Sequence, residues 1–181
     1  MVQENLPEEE QLYRTQWAAF VRSLIVFEKV KWVNNPVDTY KAEIKPMQLF
    51  YANKIGFKIP ETLITNLTHR RPSGKIAIKS IDTAIINNAD SEAFVYTSIM
   101  DGSDLEDNVY SSPFFIQKAL TPKIDLRITI IDDEVIGVEI KSQEGIDDDW
   151  RKYKGTIEYQ ICLLPEDIRQ KCLEYSKLFN L

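Results

Sequence analysis

The chain has 181 residues, of which 44% are hydrophobic and 28% charged, and its formal net charge is −6. This balance is that of a globular protein with one domain, or one domain and a small subdomain, and it excludes a disordered chain. The acidic charge excludes a broad nucleic-acid surface, because phosphate contacts need clustered Lys and Arg, but it allows a local basic pocket for one small anion.

The N-terminal part predicts an acidic tail and one helix. Residues 1–11 lack the basic and apolar regions of a signal peptide, so they are expected to be a frayed tail. Apolar residues recur at helical spacing over residues 11–30 and predict an amphipathic helix. The apolar stretch 17–27 is interrupted by Arg22 and is too short to cross a bilayer. We expect a cytoplasmic protein with no membrane partner.

Two short helices and two strands are predicted next. A helix is expected over residues 37–43, and a second one from Pro46, which suits a first helical turn, to residue 54. Strands are predicted over residues 62–65 and 75–79, with a basic loop between them. That loop carries His69, the only histidine, which excludes a cluster of several histidine ligands and is expected to be exposed.

The remaining elements complete an α+β pattern rather than a doubly wound sheet. Strands are predicted over residues 93–100 and 114–117, with an acidic, turn-rich segment between them. A hairpin is predicted from residues 126–131 and 134–140, joined by Asp132-Asp133. A final helix, 165–179, places Ile168, Cys172, Tyr175 and Phe179 on one buried face.

The hairpin carries alternating charges. Lys123, Asp125 and Arg127 project to one side of an extended segment, and Leu126, Ile128 and Ile130 are expected to pack into the core. On the second strand Glu139 and Lys141 alternate with apolar residues in the same way, which predicts one charged and one apolar face. Such a face is either a solvated sheet with cross-strand ion pairs or an anion site in which Arg127 and Lys123 meet phosphate oxygens. The pattern alone favours the solvated sheet.

Several common sites are incomplete in this sequence. Gly74-Lys75 lacks the earlier glycine and the following Ser or Thr of a phosphate loop. The segment 101–104 does not continue into a calcium loop, because Leu105 stands at a ligand position. The three aspartates 147–149 are expected to form a solvated loop, and Lys79 taken alone is a strand-end lysine in solvent. No metal site is predicted.

Short segments in a fixed order change this interpretation. In order along the chain they are Ala42-Glu43-Ile44-Lys45, residues 56–66, Ile78-Lys79-Ser80, Phe115-Ile116-Gln117, Lys123-Ile124-Asp125-Leu126-Arg127, Ser142-Gln143, Asp149-Trp150-Arg151 and Leu163-Leu164-Pro165. This order resembles the ATP-grasp ligases that modify ribosomal peptides, the microviridin or graspetide type, which are relatives of the ribosomal-protein glutamate ligases. The resemblance runs from about residue 32 to residue 181.

The resemblance implies an ATP-grasp-like α+β fold with ATP between two lobes. Residues 1–35 would be the acidic tail and linker helix, 36–122 the first subdomain, and 123–181 the start of the second. Lys45 and Lys79 would contact the phosphates, and the segment of Gln117, Lys118 and Leu120 would lie beside the adenine. Lys123 and Asp125 would also bind the nucleotide, and Arg127 and Arg151 would act in catalysis, on the phosphates or the acyl phosphate.

The implied reaction activates an Asp or Glu carboxylate of a precursor peptide and joins it to a hydroxyl or an amine. The chain departs from the family pattern at Lys118, which replaces a Glu, and in the short segment 66–75. The N-terminal domain and the Glu-x-Asn magnesium ligands of the family are expected outside this chain, so we expect no turnover by the chain alone. The alternatives are a non-catalytic remnant that binds nucleotide or precursor peptide, and an interaction protein that pairs through the hairpin or the Trp17 helix. A homodimer is a further expectation.

Overall fold

The computed structural model describes residues 7–82, 85–88, 91–141, 149–152 and 156–181. Its helices are α1 (Glu8–Ser23), α2 (Pro36–Glu43), α3 (Lys45–Lys54) and α4 (Glu166–Leu178). Short 3-10 turns lie at Leu24–Val26, Gly102–Asp104 and Trp150–Lys152. None of the described helices is long and apolar enough to span a bilayer.

The first helix is displaced from its predicted position. It begins at Glu8, where three glutamates in the first turn complement the positive end of the helix dipole. It ends at Ser23 and continues only as the Leu24–Val26 turn, so the prediction of a helix to residue 30 is wrong. The β-branched residues Ile25 and Val26 disfavour further helix at this point. No residue of α1 is buried, and the rings of Tyr13, Trp17 and Phe20 meet edge to face on its surface.

A four-stranded antiparallel sheet forms the first half of the fold. Its strands are β1 (Thr62–Leu67), β2 (Lys75–Lys79), β5 (Ser98–Asp101) and β6 (Val109–Lys118), in the order β1-β6-β2-β5. Ile76, Leu105 and Ile116 form its core, and Ile76 and Ile116 are fully buried. A separate hairpin joins β3 (Ile85–Asn88) and β4 (Ser91–Phe94).

Two predicted strands differ from those observed. The single strand expected over residues 93–100 is wrong, because β4 pairs with β3 whereas β5 pairs with β2. The chain therefore changes sheets over residues 95–97. The strand expected over 114–117 is the end of the longer β6, which contains Pro113. A register shift in β1 between Thr65 and Leu67 lies opposite this proline, and the pairing continues beyond it.

A three-stranded antiparallel sheet forms the second half. Its strands are β7 (Asp125–Ile131), β8 (Glu134–Lys141) and β9 (Glu158–Cys162), in the order β7-β8-β9. The predicted hairpin is confirmed, with Asp132 at the turn in the left-handed region (φ 52°). β9 was not predicted. Within the described residues it is an edge strand, and Tyr159 and Ile161 expose 58% and 78% of their surfaces.

The expectation of one fully charged hairpin face is wrong. Arg127 pairs with Val138, and Leu126 pairs with Glu139. Directly paired residues share a face of the sheet. The charged residues of β7 therefore lie beside apolar residues of β8, and apolar residues of β7 lie beside charged residues of β8. Leu126 is 46% exposed and does not pack into the core as expected. Periodicity along each strand cannot show this, because the register of the turn decides which residues are opposite.

The closing helix is confirmed. In α4 the face predicted to be buried is half-buried at Ile168 and Tyr175 and buried at Cys172 and Phe179. The ring of Phe179 meets the ring of Tyr51 in α3 edge to face, with centroids 5.0 Å apart. Helix α4 also contacts β7 and β8, so it connects the helical segment to the second sheet. The observed architecture is α+β, as predicted.

Candidate functional site

A cavity of about 260 Å³ lies where the two larger sheets meet. Strands β2, β5 and β6 line one side, and the segment before β7 and residues near Asp149 line the other. The lining residues are Ala77, Lys79, Thr97, Ile99, Gln117, Lys118, Ala119, Leu120, Lys123, Ile124, Asp125, Asp149 and Arg151. A larger depression of about 570 Å³ is lined by α1 residues alone and brings no second element together.

Most of the predicted site residues line this cavity. They are Lys79, Gln117, Lys118, Leu120, Lys123, Asp125 and Arg151. Two predicted residues do not. Lys45, at the start of α3, donates a hydrogen bond of 2.9 Å to the carbonyl of Ile81, two residues beyond Lys79. Arg127 is exposed on β7, on the same face as Asp125 but outside the cavity lining.

Three strands hold Lys79 in place through a line of side-chain hydrogen bonds. Lys79 Nζ donates to Gln117 Oε1 at 2.8 Å. The Gln117 amide donates in turn to Thr62 Oγ1 at 2.8 Å, and that hydroxyl donates to the carbonyl of Pro60. Gln117 is 8% exposed, so its amide orientation is fixed by these partners. The hydrogen bonds join β2, β6 and β1 at the wall of the cavity.

Burial and charge both act on Lys79. Burial lowers the pKa of its ammonium group, and the neighbouring cations Lys123 and Arg151 lower it further. Asp149 and Asp125 act in the opposite direction, but the net pKa is lowered. The expectation of a lysine in solvent is therefore wrong, because Lys79 is half-buried and its hydrogen-bond acceptor is a neutral amide. A positive charge in such a position favours a bound anion.

Two of the other three cations that line the cavity, Lys123 and Arg151, are paired with carboxylates. Lys123 Nζ lies 2.6 Å from Asp125 Oδ2, and both side chains are about three-quarters buried. Arg151 binds both oxygens of Asp149, with Nε and Nη2 each 2.8 Å from an oxygen. Within the described residues, no group of three or more His, Cys, Asp and Glu side chains could hold a metal ion.

Sequence reasoning missed one carboxylate of the cavity. The loop of aspartates was expected to be solvated, but Asp149 is 3% exposed, so that expectation is wrong for this residue. Asp147 and Asp148 lie outside the described residues, as do Ser142 and Gln143. The sequence position of the three aspartates does not show which of them is buried. The signal that could have identified Asp149 is its spacing of two residues from Arg151, which is its observed partner. Thr97 and Ile99 were missed as well, because a single strand was predicted over 93–100, where the structure has the sheet change at 95–97 and the start of β5.

Solved structures of ATP-grasp ligases share the α+β fold of this chain, and they confirm the resemblance that the sequence predicts. An ATP-grasp ligase from Chryseobacterium gregarium, described as RiPP-associated and in complex with ADP and a leader and core peptide, is 27% identical. It has a TM-score of 0.74 over 98% of this chain and 57% of its own. The chain thus spans less than two thirds of the length of this relative.

Two further structures have the same fold. The macrocyclase MdnC from Microcystis aeruginosa MRC, bound with the precursor peptide MdnA, has a TM-score of 0.76 at 24% identity and covers 98% of this chain and 59% of its own. The ATP-grasp ligase PsnB, in complex with a phosphomimetic variant of a minimal precursor, Mg and ADP, has a TM-score of 0.66 at 20% identity. Its match covers 96% of this chain and 56% of its own. No protein-family model matches the chain, and no curated protein matches it either.

Proposed function

We propose that this chain is the ATP-binding portion of a ligase that activates Asp or Glu carboxylates of a precursor peptide and forms ester or amide cross-links. The observation that carries the proposal is the convergence of Lys79, Lys123 and Arg151 on one cavity between the two sheets. The nucleotides and precursor peptides bound by the structural relatives support it. Division of the chain near residue 122, a cytoplasmic location and a homodimer remain predictions.

The cavity is chemically suited to a nucleotide. Ala77, Ile99 and Ile124 supply apolar surface of the kind that a base can cover. Gln117 and Leu120 stand on the same wall, where the resemblance places the adenine. Lys79, with its neutral hydrogen-bond partner, supplies positive charge to a phosphate group.

The proposed chemistry has two steps. A peptide carboxylate oxygen attacks the terminal phosphorus of ATP, ADP leaves, and a carboxyl phosphate forms. A hydroxyl or amine of the peptide then attacks the acyl carbon, loses its proton and displaces phosphate. Positioned positive charge at the transferring group is the main requirement of phosphoryl transfer, and in this proposal Lys79 and Arg151 supply it. Magnesium would neutralise phosphate charge, while Asp125 and Asp149 are engaged with cations of this chain.

The first test is the affinity of the chain for ADP, measured by titration calorimetry. Lys79→Ala removes a charge-assisted hydrogen bond worth about 1.5–3 kcal/mol, so we expect the affinity to fall at least about tenfold. Lys75→Ala is the matched control, because Lys75 lies on the same strand but is exposed and does not line the cavity. It should bind ADP as the wild type does.

Two results would contradict the proposal. Failure of the wild type to bind ADP rejects a nucleotide site, and equal affinity in Lys79→Ala rejects this cavity as its position. A second experiment distinguishes the ligase from the non-catalytic alternative by trapping a carboxyl phosphate with hydroxylamine. It uses ATP, magnesium, an acidic precursor peptide and a protein of the relatives' full length that contains this segment. Nucleotide binding without any hydroxamate would favour a binding remnant.

A further inference from the structure

Asp149 connects the two sides of the cavity. Its carboxylate accepts hydrogen bonds from Arg151 Nε and Nη2 at 2.8 Å and from the Arg151 backbone N–H at 3.1 Å. It also accepts one of 3.1 Å from the backbone N–H of Thr97, just before β5. A carboxylate that is 3% exposed thus joins Arg151, in the Trp150–Lys152 turn, to the backbone just before β5 of the first sheet.

We infer that Asp149 is the residue that positions Arg151 to meet the phosphates, an inference that rests on the proposed nucleotide site. Arginine has several rotatable bonds, and 59% of the Arg151 side chain is exposed. The forked hydrogen bonds to Asp149 select one of its conformations. The forked pair uses Nε and Nη2 of the guanidinium, and in this proposal Nη1 is the donor that meets a ligand oxygen. The hydrogen bond to Thr97 fixes where this donor stands relative to β5.

The charges of the pair agree with this geometry. Hydrogen bonding to Asp149 raises the pKa of Arg151. Burial acts to raise the pKa of Asp149, but its hydrogen bonds with Arg151 and Thr97 outweigh burial, and the net pKa is lowered. The pair is therefore ionised at neutral pH, and the carboxylate cancels one positive charge of the cavity.

This cancellation gives two opposite expectations. If Asp149 acts only through its charge, its removal makes the cavity more positive and strengthens the binding of an anion. If it positions Arg151, its removal releases the guanidinium and weakens binding in spite of the added positive charge. The sign of the change in ADP affinity therefore separates a positioning residue from a neighbouring charge.

The experiment measures the affinities of ADP and adenosine for Asp149→Asn, Arg151→Ala and the double variant. We expect Asp149→Asn to weaken ADP about tenfold, to leave adenosine unchanged, and to cause no further loss in the Arg151→Ala background. Arg151→Lys keeps the positive charge but removes the two-donor guanidinium contact with Asp149, so it should lose ADP affinity as Asp149→Asn does. It tests the inference even if Asp149→Asn folds poorly. Asp101→Asn, a carboxylate that also accepts a backbone N–H, is the control and should bind ADP normally.

A second readout needs no nucleotide. In NMR spectra of the wild type, the Arg151 Nε–H should exchange slowly and resonate apart from exposed arginines, because it is hydrogen-bonded to Asp149. Asp149→Asn should move this signal and the Thr97 amide, and Asp101→Asn should move neither. Tighter ADP binding by Asp149→Asn, or an unmoved Arg151 signal, overturns the inference. If the wild type does not bind ADP, the nucleotide proposal fails, and the NMR result still decides whether Asp149 orients Arg151.

Discussion

Burial of Lys79 bears directly on the proposed binding of a phosphate. Burial lowers the pKa of its ammonium group. The hydrogen-bond acceptor of that group is the amide oxygen of Gln117, which has no negative charge. A bound anion would stabilise the charged form and raise that pKa again. The protein thus keeps a partly desolvated charge in the cavity, where the proposed phosphate would add negative charge.

The carboxyl group of Asp149 should also affect stability in acid. Its pKa in the folded chain is below the ordinary value of 3.8, because hydrogen bonds with Arg151 and Thr97 outweigh the effect of burial. The unfolded chain binds this proton more readily, so the stabilisation is complete above the unfolded pKa and is lost as pH falls through the folded one. We expect the difference in free energy of unfolding between the wild type and Asp149→Asn to shrink below about pH 4.

Urea unfolding at a series of pH values measures this difference. A difference that stays constant from neutral pH into acid would show that the ionised carboxylate is not the source of the stabilisation. The side-chain amide that Asp149→Asn introduces cannot be protonated over this range, so at this position only the wild type contributes a pH dependence.

At the residue scale, the sequence shows local patterns but not distant partners. Alternation by two placed Lys123 and Asp125 on one side of a strand, and both line the cavity. Lys79 and Gln117 are 38 positions apart, and only the pairing of β2 with β6 brings them together. The resemblance to a family supplied these residues, since periodicity contains no information on which strands are neighbours.

Gly137 shows how the elements of the second sheet are fitted together. A Cβ added to this residue of β8 would lie 2.9 Å from Leu164 Cγ and 3.2 Å from the carbonyl oxygen of Cys162. The chain entering α4 thus packs directly over the backbone of β8. The absence of a side chain at this position is what allows the approach.

Gly137→Ala should therefore be destabilising, although glycine itself usually weakens the interior of a strand. We expect it to lower the free energy of unfolding by about 1–3 kcal/mol, the usual cost of overpacking. Chemical denaturation measures the change. In the Leu164→Ala background the added methyl group has room, and the cost should be clearly smaller. An equal cost in both backgrounds would place the conflict elsewhere, at the Cys162 carbonyl.

At the scale of elements, the sequence predicted whether a segment is a helix or a strand better than it predicted which strands pair and in which register. The hairpin at Asp132 and the helix with Cys172 and Phe179 have strong local signals, and both are present. The sheet change at residues 95–97 has no signal, because the segment is uniformly suited to strands. The faces of β7 and β8 were wrong for a related reason, since the register is a property of the pair and not of either strand.

The whole molecule depends on α4 to connect its parts. Phe179, which is 3% exposed, contacts the ring of Tyr51 in α3 and that of Tyr175 in its own helix. The next residue, Asn180, donates a hydrogen bond of 2.7 Å to Asp38 in α2. The same helix contacts β7 and β8. The orientation of the helical segment against the second sheet is thus set near the end of the described chain.

Phe179→Ala should remove this connection. Loss of a buried aromatic ring costs about 3–5 kcal/mol, and we expect a decrease of that size in the free energy of unfolding. Thermal and urea unfolding followed by circular dichroism measure it. Tyr159→Ala removes an aromatic ring that is 58% exposed and should change stability by less than about 0.5 kcal/mol. Similar losses in the two variants would contradict a connecting role for Phe179.

The open edge of β9 affects the behaviour of the protein in concentrated solution. Within the described part of the chain, β9 is hydrogen-bonded on one side only, and Tyr159 and Ile161 project from it into solvent. Such an edge accepts a strand from any molecule that presents one, with backbone hydrogen bonds and apolar contacts together. We therefore expect association through this edge to compete with refolding as concentration rises, and a polypeptide that pairs with the edge should reduce aggregation.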